Sequence, residues 1–122
     1  RAMRAGVVRG LGAALGLMPS VVLAHAYLVT SDPPHQAALD VPPATIRLQF
    51  SEPVEAAFAK LVLQCDGKPM PGSLKVAASP DRRTLTAKSP SAVTGRCVLD
   101  WSIVARDGHR TRGELVFQVS HR

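Results

Sequence analysis

The sequence predicts an all-β fold, a seven-stranded antiparallel β-sandwich with Greek-key connections. Apolar and polar residues alternate over short runs between residues 25 and 120, which is the pattern of strands buried on one side. Gly, Pro, Asp and Ser residues that favour turns separate these runs at short intervals. The stretches between the runs are too short to predict a helix. About seven short strands in this arrangement are typical of sandwich domains.

Residues 1–24 are predicted to be a secretory signal rather than part of this domain. Three arginines precede an apolar run over residues 10–23, and small or apolar residues lead up to Ala24. A basic start, an apolar stretch and a small-residue end are typical of signal peptides. The alternative is a membrane anchor, which needs about 20 apolar residues, whereas this run is shorter and contains three glycines and a proline. The domain is expected to span residues 25–122.

The net charge of +6 belongs in part to the predicted signal. Without the three arginines of that segment, 12 basic and nine acidic residues remain, and the net charge is +3. No cluster of Lys and Arg is interleaved with aromatic residues, so nucleic-acid binding is not supported. Arg82, Arg83 and the arginines between 106 and 112 are interpreted as solvated charges on loops and strand edges.

The first half of the domain is predicted to contain three strands. Residues 25–31 alternate until an Asp-Pro-Pro sequence ends the strand, and the Pro-rich stretch 35–44 is predicted to be a loop. Residues 45–50 alternate cleanly, and residues 60–65 end at an Asp-Gly pair, which strongly favours a turn. The inward face of the second strand consists of Ile46, Leu48 and Phe50.

The second half is predicted to contain four strands. Residues 73–77 and 84–87 are short and flank a Ser-Pro-Asp turn, whereas residues 96–106 form the longest strand and residues 113–120 the last. Apolar residues occupy alternate positions in the two long strands, so these positions are expected to face the core. They are Cys97, Leu99, Trp101, Ile103 and Ala105 in one strand, and Leu115, Phe117 and Val119 in the other.

The domain contains two cysteines, Cys65 and Cys97. An exported chain meets oxidising conditions, in which an even number of cysteines favours a disulfide. The bond would close a loop of about 33 residues and stabilise the fold by roughly 3–4 kcal/mol in the chain-entropy model. The alternative is a pair of thiolates that bind a soft ion such as Cu(I), but there is no CxxC spacing and no obvious third soft ligand.

Four histidines in the domain raise the question of a metal site. Asp107 and His109 are two residues apart, and residues with this spacing face the same way on a strand, so both could reach one ion. The alternative is that Asp107-Gly108 is the two-residue turn of a hairpin between the last two strands, which is the better interpretation of these residues alone. His35 and His121 are interpreted as surface histidines.

A signal cleaved after Ala24 would make His25 the first residue of the exported protein. Its free α-amine, with an ordinary pKa of about 7.7–8.0, would lose its proton readily and chelate an ion together with the imidazole. This chelate, a second imidazole and a carboxylate form a nitrogen-rich set that favours Cu(II). Two alternatives stay open. In the first, His25 is a plain polar residue that follows the cleavage site. In the second, cleavage falls after Ala26 and removes His25, because Ala24-His25-Ala26 is itself an A-x-A sequence.

Three motifs occur in order along the domain. They are His25-Ala-Tyr-Leu-Val-Thr-Ser-Asp-Pro33, Phe50-Ser-Glu-Pro-Val-Glu55, and a third that runs from Asp100 to His109 and continues in Gly113-Glu-Leu-Val-Phe117. Each motif alone is weak. Together, in this order and approximate spacing across the whole domain, they resemble the CopC family of periplasmic copper-resistance proteins.

The resemblance implies a sandwich of the immunoglobulin-like or cupredoxin-like type that binds Cu(II) in the periplasm. It implies that His25, Asp107 and His109 are copper ligands, and that Glu52 is a weak ligand or a supporting residue; the alternative for Glu52 is a plain exposed acid at a strand end. Three features depart from the family pattern. Met70 is the only methionine of the domain, so a thioether Cu(I) site is not supported. Arg110 stands where the family often has proline, and Cys65 and Cys97 are not part of the pattern.

Three hypotheses about function follow. The leading one is a monomeric exported protein that binds Cu(II) without catalysis, and that buffers the ion or hands it to an inner-membrane copper transporter of the CopD type. The second is a mono-copper oxidase or oxygenase, although the 98 residues of the domain and the scarcity of aromatic residues leave little room for a substrate platform. The third is a metal-free interaction module in which Asp107-Gly108 is only a turn.

Overall fold

The computed structural model describes residues 25–70, 72–90 and 93–121. The predicted signal, residues 1–24, lies outside them. No helix within the described residues is both long and apolar enough to cross a membrane. Regular structure in this part of the chain consists of one short 3₁₀ turn, Ala56–Phe58, and nine strands. The strands are β1 Leu28–Asp32, β2 Ala37–Leu39, β3 Thr45–Phe50, β4 Lys60–Cys65, β5 Lys68–Pro69, β6 Val76–Ala78, β7 Thr84–Lys88, β8 Gly95–Val104 and β9 Arg110–Val119.

The strands form two sheets that enclose one core. A four-stranded sheet has the order β1-β3-β7-β6, and a five-stranded sheet has the order β2-β9-β8-β4-β5. All strand pairs are antiparallel except β2 and β9, which run parallel. The β-sandwich predicted from residue alternation is therefore confirmed, although the described residues form nine strands rather than seven.

The two additional strands lie in segments that were expected to be irregular. β2 falls within the Pro-rich stretch 35–44, where the prediction of a loop is wrong. β5 directly follows the predicted Asp-Gly turn, at residues for which no strand was predicted. β5 is two residues long and β2 three, which leaves no room for an alternating pattern. β2 exists because β9 offers an open edge to pair with, and because the Val116 N–H donates a hydrogen bond to Nδ1 of His35 at 3.1 Å. Strands this short are defined by tertiary pairing rather than by their own sequence.

The core consists of the inward faces of the predicted strands. Both sheets contribute alternate residues that are almost completely removed from solvent, which confirms the inward faces expected from the sequence. The largest of the fully buried side chains are Phe50, Phe117, Ile46, Leu48, Leu61, Leu63, Leu85, Leu99, Ile103 and Leu115.

Trp101 is a core residue, as predicted, and is 6% exposed. Its ring meets Phe50 edge to face with 5.3 Å between the centroids, a favourable aromatic geometry. Trp101 also lies directly opposite Gly113 on β9. A Cβ atom on Gly113 would lie 2.4 Å from Cζ2 of the indole, so the glycine provides the space that the ring occupies.

Cys65 and Cys97 are bonded to each other. They lie directly opposite one another where β4 pairs with β8, and both are buried. Because β8 runs from Gly95 to Val104, Cys97 lies near the end of the strand that is remote from the β8–β9 loop. The disulfide therefore fastens one end of the five-stranded sheet, and the β8–β9 loop forms the other.

Replacing Gly113 by alanine should destabilise the fold through Trp101. The added methyl group collides with a rigid, packed indole, and overpacking of this kind costs about 1–3 kcal/mol. Denaturant unfolding followed by the single tryptophan measures the change in the free energy of unfolding. Glu114→Ala at the next, exposed position is the matched control; equal stability of the two variants would contradict the packing described for Trp101.

Candidate metal centre

The loop between β8 and β9 spans residues 105–109 and is closed by its own backbone. The Ala105 N–H donates to the His109 carbonyl at 3.1 Å, and the Gly108 N–H donates to the Ala105 carbonyl at 2.9 Å. Gly108 has a φ of +87°, a conformation that glycine adopts without steric penalty. Asp107-Gly108 therefore does lie in a hairpin turn, but the loop has five residues rather than two.

The side chains of Asp107 and His109 face each other across this turn. Oδ1 of Asp107 accepts the backbone N–H of His109 at 3.0 Å, and Oδ2 lies 2.9 Å from Nδ1 of the imidazole. Aspartate commonly binds the backbone two residues further on in turns of this kind. Asp107 and His109 do lie close together, but the expectation that they do so on one face of a strand is wrong, because the turn brings them together.

The pKa of Asp107 is lowered from its ordinary value. The largest cause is the hydrogen bond with the His109 side chain, followed by the one from the His109 N–H, and slight burial opposes both. A lowered pKa keeps the carboxylate ionised and able to bind a cation. Its contribution to folding stability is present above the ordinary range of an aspartate and is lost as the pH falls through the lowered value.

The segment after His25 is fixed to the end of the sandwich. Ala26 is completely buried in the core. The Tyr27 N–H donates to Oγ of Ser51 at 3.0 Å, and the Ser51 N–H donates back to the Tyr27 carbonyl at 2.9 Å. His25 is consequently held next to the β8–β9 loop, and its ring centroid lies 4.9 Å from that of His109.

The connection over residues 51–55 braces this end of the molecule. Its Val54 pairs with Ala105, and its Glu55 N–H donates to the Val104 carbonyl at 2.9 Å. Two arginines that the sequence suggested were merely solvated secure the same connection. Nη1 of Arg83 donates to the Ser51 carbonyl at 2.7 Å, and Nη1 of Arg82 lies 3.5 Å from Oε2 of Glu55. No local sequence pattern predicts these contacts, because they join segments that are distant in the chain.

Three of the four predicted site residues come together. Among the residues that the structure describes, one group of potential metal ligands is present, and its donor atoms on His25, Asp107 and His109 all lie within 4.8 Å of one another. Ligands on opposite sides of an ion bound at about 2 Å are about 4 Å apart, and small rotations of these exposed side chains cover the difference. The group combines two imidazoles with a carboxylate. Glu52 follows Ser51 in the bracing connection, but its carboxylate is not part of the group.

The other two histidines lie elsewhere. His35 accepts the hydrogen bond from β9 described above, and Nε2 of His121 lies 3.4 Å from Oδ2 of Asp66. Both are exposed, as expected from the sequence, and each has a structural contact that the sequence did not indicate.

A family model described as the CopC domain matches residues 28–120, which include all nine strands. The chain belongs to the CopC family. The resemblance carried by the three sequence motifs is therefore confirmed. A copper-related function is supported by the relatives of this CopC protein.

Two curated relatives illustrate the range of the family. Protein YobA of Escherichia coli (strain K12) is 30% identical over 105 residues, which cover 84% of this chain and 85% of YobA. Copper transport protein CutJ of Bacillus subtilis (strain 168) is 27% identical over 107 residues, which cover 86% of this chain and 20% of CutJ. The match to CutJ thus concerns one part of a much longer protein.

Two solved structures share the fold. CopC from Methylosinus trichosporium OB3b superposes with a TM-score of 0.72 at 26% identity and covers 79% of this chain and 94% of its own. PcoC, described as a methionine-rich copper resistance protein from Escherichia coli, gives a TM-score of 0.68 at 30% identity, with 80% of this chain and 100% of PcoC covered. The present chain differs from that description, since Met70 is the only methionine within the matched residues 28–120.

Replacing His109 by alanine should raise the pKa of Asp107 toward the ordinary aspartate value in the metal-free protein. The change removes the side-chain hydrogen bond that is the main cause of the lowered pKa. A titration of carboxyl carbons by NMR measures it. Asp81 is the internal control, because Ser79 and Arg83 lower its pKa independently; an unchanged Asp107 titration in the variant would contradict the contact.

Proposed function

We propose that this CopC protein, in its exported form, binds Cu(II) at the β8–β9 end of the sandwich and buffers or delivers the ion. One observation carries the proposal: donor atoms of His25, Asp107 and His109 converge from the two ends of the domain to within 4.8 Å of one another. Family membership and the copper-related names of CutJ and PcoC support copper as the ion.

Each residue of the proposed site has its own role. His25 supplies an imidazole and, if the signal is cleaved after Ala24, the α-amine of the same residue. His109 supplies a second imidazole, and Asp107 supplies a carboxylate. A nitrogen-rich set of this kind favours Cu(II) over Cu(I). Glu52 is proposed only as a supporting carboxylate, because its oxygens lie outside the three-residue group.

Asp107 also orients His109 before copper arrives. The contact between Oδ2 of Asp107 and Nδ1 holds the imidazole beside the carboxylate in the metal-free protein. When the ion binds, this hydrogen bond would give way, so that the carboxylate and the ring both turn to the same ion. The ionised Asp107 is further suited to the site because it offsets positive charge brought by the ion.

Exposure of the site suits a carrier whose cargo is the copper ion. All three proposed ligands are solvent-exposed, so an acceptor could reach the ion without unfolding the sandwich. We propose that the protein acts as a periplasmic monomer without catalytic turnover. We propose a membrane copper transporter of the CopD type as the acceptor. The match to part of CutJ, a copper transport protein, supports a link with copper transport.

His25→Ala and His109→Ala should each weaken Cu(II) binding severely. Loss of an outer-shell partner alone typically costs about 10–100-fold in metal affinity, and loss of a direct ligand should cost at least as much. Competition titration with a chelator measures the affinity. His35→Ala and His121→Ala are matched controls, since both histidines are exposed and lie outside the group; equal losses in all four variants would argue against the proposed ligands.

The exported protein should begin at His25, and its free amine should contribute to binding. Mass spectrometry of the protein recovered from the periplasm gives the N-terminal residue. A protein whose α-amine is blocked by acetylation keeps the imidazole of His25 but loses the amine as a ligand, so we expect weaker Cu(II) binding and a shallower loss of affinity as the pH falls, because fewer groups must be deprotonated. An exported chain that begins at Tyr27 and still binds Cu(II) tightly would refute the ligand set.

A further inference from the structure

The outer face of the five-stranded sheet contains an open hollow of about 440 Å³ next to the β8–β9 loop. The side chains that form it come from β4, β8 and β9 and alternate with core residues along each strand. We call this region the basic hollow and define it by Lys60, Val62, Asp100, Ser102, Arg110 and Arg112.

Charges in the basic hollow are arranged in rows across the strands. One row consists of Lys60, Ser102 and Arg112, which lie side by side in the register of β4, β8 and β9. Arg110 lies in the row nearest the loop, opposite Val104. These two rows carry three cations and no acid. The next row away from the loop contains the acids Asp100 and Glu114.

The three cations are available to a ligand. Among the described residues, none of them forms an ion pair within 4.0 Å. Arg110 is nevertheless held in place, because its Nη1 donates to Oγ of Ser102 and to the Phe58 carbonyl. A fixed guanidinium loses little conformational freedom on binding, and its planar fork matches a carboxylate.

We infer that the basic hollow binds an acidic segment of the polypeptide partner that receives the copper ion. The inference rests on the proposed function. Arg110 directly follows His109 in the chain, so a carboxylate bound in the hollow would place the partner beside the metal site. Complementary charges of this kind steer partners together and fix their register.

The pattern of charge favours a polypeptide over a membrane surface. Anionic lipids present a uniformly negative plane that attracts clusters of protruding basic residues. The basic hollow is concave, and its own Asp100, together with the neighbouring Glu114, would be repelled by such a plane. A folded partner can oppose acids to the cationic rows and bases to the acidic row.

The test uses the copper-free protein, labelled with ¹⁵N, and a hexaglutamate peptide at low ionic strength. We expect saturable amide shifts at Lys60, Ser102 and Arg112 that diminish as salt screens the charges. The double variant Lys60→Glu/Arg112→Glu should weaken peptide binding about tenfold or more. The control Arg47→Glu/Lys88→Glu makes the same charge change on exposed positions of the four-stranded sheet and should leave peptide binding within about twofold, because screening limits the effect of distant charges.

Two results of the peptide titration would overturn the inference: no saturable peptide binding, or equal weakening of peptide binding by the control pair. Two results with other ligands would do the same. One is binding to phosphatidylglycerol vesicles with the same dependence on Lys60 and Arg112, and the other is self-association that the Lys60→Glu/Arg112→Glu variant abolishes. That variant should still bind one equivalent of Cu(II), because Lys60 and Arg112 lie outside the group of proposed ligands. Because the titration contains no copper, failure of the proposed copper site would appear as absent Cu(II) binding in every variant and would not alter the peptide result.

Discussion

β8 and β9 pair over ten consecutive positions, from Gly95 opposite Val119 to Val104 opposite Arg110. This register places Leu99 against Leu115 in the core and puts Trp101 over Gly113, where only a glycine leaves room for the ring. It also fixes where the hairpin turns, and therefore where Asp107 and His109 meet. Since a shift by one residue would exchange the buried and exposed faces of both strands, core and candidate site depend on the same register.

The opposite ends of this hairpin differ in what holds them. At one end the Cys65–Cys97 bond ties β8 to β4 covalently. At the other end, hydrogen bonds, the Val54–Ala105 bridge and the burial of Ala26 connect the loop to the bracing connection and, through Ser51, to the segment after His25. A covalent tie remote from the candidate site and a hydrogen-bonded frame beside it give a stable scaffold that still presents the candidate metal ligands to solvent.

Much of the fold could be predicted because long strands that are buried on one side alternate apolar and polar residues. Ile46, Leu48 and Phe50 alternate with polar residues, and their strand has the predicted bounds. β2 could not be predicted, because its three residues are a strand only through pairing with β9. The roles of Arg82 and Arg83 were hidden for the same reason, since their partners Glu55 and Ser51 are distant in the chain.

The candidate site was predictable in its residues but not in its geometry. His25, Asp107 and His109 could be selected from the sequence by residue type and motif. The turn in which Asp107 hydrogen-bonds to His109 could not, because it depends on the conformation of Gly108 and on the closure of the loop. Two interpretations that competed in the sequence, hairpin turn and metal site, are compatible in the structure. The turn is what aligns the two side chains.

The most direct test of the central claim is the position of copper itself. Crystals of the exported protein loaded with one equivalent of Cu(II), measured at the copper absorption edge, would give one anomalous peak. We expect that peak between His25 and His109, with the α-amine of His25 as a further ligand and Asp107 on the same ion. A peak at His35 or at the Asp66–His121 pair, with His25 and His109 unbound, would contradict the account.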